Sequence, residues 1–204
     1  MEQLPGRMVS VKKGWTYRTR GYAPLIVSLA NTKEVLSLVN RPGNRPSHDG
    51  CVEWIEQAIK LVKPYARKVC VRGDTDYSLT THFDRWSEDS DFVFGMDASA
   101  VLKGRAGALP EGAWKERKRK PKYTIKTWER DKPENEKERI VKGRGYKNIY
   151  LEREHVAEFD YRPVKCNNSY RVVALRKTLS VKEGQMKLYD DVRYFFYITT
   201  KRNI

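Results

Sequence analysis

The sequence predicts an α/β protein: a mixed sheet with parallel members and crossover helices, followed by a mostly antiparallel β-rich region. Three observations predict it. Between Pro24 and Met96, short apolar runs alternate with amphipathic helical stretches. Past about Ala100 the chain turns to segments rich in β-branched and aromatic residues. The charge shifts at the same place, with 14 Lys+Arg against 12 Asp+Glu in residues 1–100 and 27 against 14 in residues 101–204. The organisation expected is an N-terminal segment at 1–20, an α/β core at 21–104 and a basic, β-rich region at 105–204.

The elements follow in order. A short strand fits Met8–Val11. Pro24–Thr32 is mostly apolar, and Glu34–Asn40 follows after a tight Asn31-Thr32-Lys33 corner, which reads as a strand pair. Arg41–Pro46 ends the second strand, because proline cannot donate to a ladder and glycine accepts turn dihedrals. Ser47 is placed to cap a helix, with Asp49 in its first turn. Val52, Ile55, Ala58, Ile59, Val62 and Tyr65 recur at three- and four-residue steps and predict that helix over His48–Ala66. The consecutive apolar residues Val69, Cys70 and Val71 predict a strand buried on both faces. Leu79, Phe83 and Trp86 mark a helix within Ser78–Asp89, and Asp91–Met96 reads as another buried strand. Strand, helix, strand, helix, strand points to parallel pairing through crossovers. Ser99–Leu109 is expected to be a short helix, Lys115–Pro121 a charged loop and Asn135–Lys142 a helix. Strands are expected at Tyr123–Glu129, Lys147–Glu152, Val156–Tyr161, Tyr170–Lys177 and Val192–Thr200.

Composition narrows the function. With 39% hydrophobic residues the 204-residue chain can build a core. Cys51, Cys70 and Cys166 are too few for a disulfide framework and form no CxxC pair, and His48, His82 and His155 are scattered. No apolar run approaches the roughly 20 residues of a membrane helix. The expectation is a cytoplasmic protein. The net charge of +15 lies almost wholly in the second half, and Lys115–Lys132 holds nine basic and three acidic residues with Tyr123 and Trp128 among them. A polyanion, most simply nucleic acid, is the natural counterpart, although such runs are as often no more than a solvated face.

One acid stands in the right kind of place for chemistry. In open α/β sheets ligands bind outside the carboxyl ends of the strands. The Val69–Val71 strand ends in Arg72-Gly73-Asp74-Thr75-Asp76, where Gly73 lets the chain turn and Asp74 sits at the edge. A carboxylate there suits magnesium, a hard cation that takes oxygen ligands. From position alone, Asp74, Asp76 and Ser78 are more simply turn and cap residues, and Asp97, after the next strand, more simply still.

Several stretches together carry a resemblance: Gly21–Thr32 (GYAPLIVSLANT), Asn40–Asn44 (NRPGN), Arg72–Ser78 (RGDTDYS), Phe92–Gly95 (FVFG) and Tyr194–Thr199 (YFFYIT). In this order they resemble bacterial insertion-sequence transposases with a DDE catalytic domain, from Gly21 to the C-terminus. The resemblance implies a partial ribonuclease-H-like core followed by a β insertion. It implies that Asp74 is the second of three metal-binding catalytic acids, that Mg2+ is the cofactor, and that the chemistry is phosphoryl transfer on DNA. It also implies double-stranded transposon ends as the partner. The backbone would be gripped by the basic residues Lys115, Arg117, Lys118, Arg119, Lys120, Lys122, Lys126 and Arg130.

The chain also departs from that pattern. The first acid is expected on a strand before Gly21, and the third, a glutamate, on a helix after the β insertion. Glu2 and Glu34 do not fit the first position, and Glu183, Asp190 and Asp191 come too early for the third. The expectation is a transposase truncated at both ends, inactive alone, with self-association through uncovered apolar sheet. The alternative is a non-enzymatic basic nucleic-acid-binding protein derived from a transposase. An intact metal nuclease recruiting acids such as Asp97 is a third reading.

Overall fold

The computed structural model describes residues 7–12, 15–119, 136–144, 147–183 and 186–201. These form a mixed α/β structure. Strand pairing falls into two hairpin sheets and one six-stranded mixed sheet. The expected strand at Tyr123–Glu129 lies outside the described residues. By contact density the described residues group into two compact units, one within Met1–Met96, Tyr161–Tyr170 and Ile198–Ile204, the other within Asp97–Asp160 and Arg171–Tyr197.

In the first unit, β1 (Arg7–Lys12) and β2 (Trp15–Arg20) pair antiparallel. β3 (Leu25–Ser28) and β4 (Val35–Val39) form the expected hairpin, with Leu25 opposite Val39 and Ile26 opposite Leu38. Its corner closes through Lys33 N–H donating to the Leu29 carbonyl at 2.8 Å and Leu29 N–H to that of Glu34 at 2.8 Å. α1 runs Cys51–Val62, packs on β3 and β4, and buries Cys51, Ile55 and Ile59.

The helix start differs from the sequence expectation of Ser47–His48. Gly50, at φ 71, precedes the first helical residue, and Ser47 gives no side-chain cap. The reason is non-local. Arg41, only 9% exposed, sends its guanidinium to the carbonyls of Ala23 (2.9 Å), Ser47 (3.2 Å) and Asp49. Those carbonyls are held in a turn that a helix from His48 would break, and glycine accepts the left-handed residue that ends the turn.

β5 (Cys70–Gly73) and β6 (Asp91–Met96) are parallel, with Val71 opposite Phe92 and Gly73 opposite Phe94, so the crossover expectation holds. Burial on both faces does not hold for Val69–Val71. β5 ends the strand order, and Cys70 and Val71 are only half-buried. α2 (Phe83–Asp89) lays Phe83 and Trp86 against Phe92 and Phe94 of β6. Tyr170 closes this aromatic core, 5.3 Å from Phe92 and 6.0 Å from Phe83 by ring centroid.

In the second unit, α3 (Ala100–Gly107) is capped by Ser99 Oγ, which accepts from Leu102 N–H at 3.4 Å. β7 (Lys115–Glu116), within the expected loop, pairs antiparallel with β8 (Lys147–Tyr161). α4 (Glu136–Gly143) matches the expected helix. β9 (Tyr170–Glu183) and β10 (Met186–Thr199) complete a sheet of order β5-β6-β10-β9-β8-β7.

Strands expected at Lys147–Glu152 and Val156–Tyr161 are one strand, β8. The polar break between them is Glu154, which is 4% exposed and paired in two N–H···O bonds with Arg119, at 2.6 and 2.5 Å, with Lys177 at 3.6 Å. These partners hold its carboxyl below the usual range, Arg119 contributing most despite the opposing cost of burial. A charge-assisted fork lets a carboxylate sit inside a strand that would otherwise end there. No described helix is long and apolar enough to cross a membrane.

Candidate functional site

The acid singled out by sequence sits where two close backbone approaches put it. β5 ends at Gly73, and a Cβ there would stand 2.8 Å from a ring carbon of Phe94 and 2.9 Å from Cβ of Tyr77. On β6, a Cβ at Gly95 would stand 3.0 Å from the amide nitrogen of Thr75 and 3.3 Å from the carbonyl carbon of Asp74. The two glycines let β6 pass directly beneath the turn that carries Asp74. Asp74 itself is exposed at the carboxyl edge of β5. Its Oδ1 accepts from Asp76 N–H at 3.1 Å, and its carbonyl accepts from Tyr77 N–H at 3.3 Å, which caps a one-turn 3-10 helix at Thr75–Tyr77. Ser78 Oγ donates to the Thr75 carbonyl at 2.7 Å. The Tyr77 hydroxyl is pushed up, first by burial and then by the negative charge of Asp74.

Gly73→Ala is therefore expected to destabilise the protein by about 1–3 kcal/mol, because the added methyl meets a packed ring and not a mobile chain end. A urea-unfolding midpoint measures it. An unchanged midpoint would mean that the turn is not pinned by this approach.

Among the described residues, no group of three or more His, Cys, Asp or Glu stands where it could hold a metal ion. Asp97 is exposed after β6, and its carbonyl accepts from Ser99 N–H at 2.7 Å. Of the basic residues expected to grip DNA, Lys115, Arg117, Lys118 and Arg119 are exposed along and after β7. Arg119 is committed to Glu154, and Lys118 lies 3.7 Å from Glu116. Lys120, Lys122, Lys126 and Arg130 lie outside the described residues.

Sequence reading missed a pocket of about 510 Å³ in the second unit. It is lined by Arg153 and His155 of β8, Arg176 and Thr178 of β9, Val192 and Tyr194 of β10, and Glu111. The lining pairs are two residues apart on three neighbouring strands, so one pleat face carries them all. That alternation was available in the sequence, but which strands are neighbours was not.

A family model, transposase DDE domain group 1, matches residues 11–186. The chain belongs to this DDE transposase family. No curated protein and no solved structure matches it. Transposases of this family are generally dependent on a divalent metal. The described donors do not fit such a centre, because Asp74 brings one carboxylate, and one of its oxygens is engaged by the Asp76 amide. A two-ion site needs several oxygen ligands converging in near-octahedral geometry.

Proposed function

We propose that this transposase-family chain is a DNA-binding protein of DNA transposition. In this reading its α/β core is ribonuclease-H-like, Asp74 stands at the family's second catalytic-acid position, and the basic second half grips duplex transposon ends. The single observation that carries the reading is the family match over residues 11–186, which spans both the acid-bearing edge and the basic sheet. The supporting physics is electrostatic. Lys115, Arg117 and Lys118 are exposed on one segment beside β8, and such cations exchange condensed counterions of DNA for phosphate contacts. In this reading the chain alone binds DNA without cutting it.

Affinity for duplex DNA across a salt series tests the reading. Each phosphate contact contributes about −0.9 to the slope of log K against log salt, and a slope of about −3 or steeper is expected. A flat response would remove the DNA reading.

A second reading is favoured by the bond from Asp76 N–H to Asp74 Oδ1. In that reading Asp74 only caps its turn, and the chain is a non-enzymatic nucleic-acid-binding derivative of a transposase. Asp74→Asn tests it, since asparagine keeps the cap and loses the charge. Under the second reading D74N folds and binds as the parent does. Magnesium-dependent nicking of supercoiled DNA that disappears in D74N would instead establish an active acid at this position.

A further inference from the structure

The pocket on β8, β9 and β10 has no part in the strand-edge site of Asp74, and its lining is unusual. Arg176 is fully occupied. Its two terminal nitrogens donate to the two Glu111 oxygens at 2.8 Å each, and its guanidinium lies over the Trp114 ring at 4.4 Å. That fork holds the Glu111 carboxyl below the usual range and leaves the carboxylate little capacity to repel an incoming anion. Arg153 is different: exposed on the same face, it has no carboxylate partner among the described residues. His155 beside it has a buried Nδ1 with no hydrogen-bond partner. A buried nitrogen without a partner is costly, and an oxyanion brought into the pocket would offer it one. Thr178 adds a hydroxyl. With Glu111 and Arg176 paired to each other, the lining keeps the Arg153 guanidinium for a ligand, with the His155 imidazole and the Thr178 hydroxyl beside it.

We propose that this pocket receives one phosphate of the DNA backbone, with Arg153 as the charge partner and His155 and Thr178 as hydrogen-bond donors. The donor set is suited to an oxyanion, since a guanidinium fork matches phosphate geometry and an imidazole N–H and a hydroxyl can each take a further oxygen. Apolar ligands fit less well, because they would leave the guanidinium, the imidazole and the hydroxyl without partners. The inference rests on the DNA-binding reading and assigns it a place on the face of β8, β9 and β10, beside the basic run, since Glu116 of β7 pairs with His155 of β8.

The test uses the full chain and a labelled duplex oligonucleotide, titrated at several salt concentrations, with circular dichroism as the check on folding. Arg153 and Lys103 are both exposed, so R153Q and K103Q each remove one charge from the second unit without disturbing a core. R153Q is expected to weaken binding several-fold and to reduce the salt slope by about one, the signature of one lost phosphate contact. K103Q, outside the pocket, is expected to leave the slope as it is. T178V is expected to weaken binding with the slope unchanged, because it removes a hydroxyl and no charge, and H155Q is expected to weaken binding as well. A steep parental slope that R153Q leaves unchanged, or that K103Q reduces equally, overturns this inference and leaves the DNA reading standing. A flat parental slope removes both.

Discussion

Replacing Phe83 by alanine is expected to cost about 3–5 kcal/mol of folding free energy, the range for removing a large buried aromatic. Phe83 is 0% exposed. Its ring centroid lies 4.7 Å from Phe92, 5.5 Å from Phe94, 6.2 Å from Trp86 and 6.0 Å from Tyr170. These rings come from α2, β6 and the start of β9, so the void cannot close without moving several elements at once. The loss therefore combines the transfer energy of the ring with a cavity, and a domain of ordinary stability has only about 5–15 kcal/mol to lose. Chemical denaturation followed by tryptophan fluorescence measures it, with Trp86 reporting from within the cluster. Phe83→Leu keeps much of the volume and is expected to cost clearly less. Equal losses for the two variants would show that ring packing does not set the stability of this core.

The second large effect is at Asp84, on the solvent side of the same helix. Its carboxylate accepts from Tyr170 OH at 2.6 Å, from Asn167 N–H at 2.7 Å and from Asn168 N–H at 3.3 Å. One acid thus ties the segment before β9 to α2. Cys166 lies beside it, its thiol donating to the Thr80 carbonyl at 3.1 Å and pushed up to about 11 by burial and then by the Asp84 charge. Asp84→Ala is expected to destabilise by about 2 kcal/mol, mainly because the hydroxyl of Tyr170, 5% exposed, loses its acceptor while the two amides can turn to water.

The same contacts set a pH window. The Tyr170 and Asn167 bonds hold the Asp84 carboxyl below its ordinary value. A depressed acid favours the folded state fully above its unfolded pKa of about 4, and that contribution drains as pH falls through the lowered folded value. At the other end, burial and then the Asp84 bond push the Tyr170 hydroxyl up to about 12. Its contribution is full below the unfolded value of about 10 and is lost as pH rises through the folded one. Stability measured against pH should fall at both ends, and Asp84→Ala should flatten the acid limb most. An acid limb identical in parent and variant would mean that other carboxylates control it.

How much of this was legible beforehand varies by element, and the reason is consistent. The β3–β4 hairpin, α3, α4 and the β5–β6 pair were all readable, because each is signalled by its own residues: alternation, a corner, an apolar run. The start of α1 was misread because Arg41 reaches across to carbonyls at 47 and 49 and imposes a turn that no local propensity encodes. The continuity of β8 was missed because Glu154 looks like a break until Arg119, far off in sequence, comes to pair with it. The candidate acid was legible as a strand-end residue after glycine. The approach of Gly95 beneath it was not, since parallel neighbours are brought together only by the crossover. The pocket was least legible of all. Its pairs are plain in each strand, but a site exists only when three strands are laid side by side.

The sequence by itself determined the alternation of strands and helices and the basic character of the second half, because these depend on composition and short-range spacing, and its ordered motifs carried the family resemblance. Tertiary structure alone decided which charges are spent internally, as Arg119 and Arg176 are, and which, like Arg153, have no carboxylate partner among the described residues. Charge pairing acts through space over a few ångströms, whatever the separation along the chain, and only the folded backbone sets those distances.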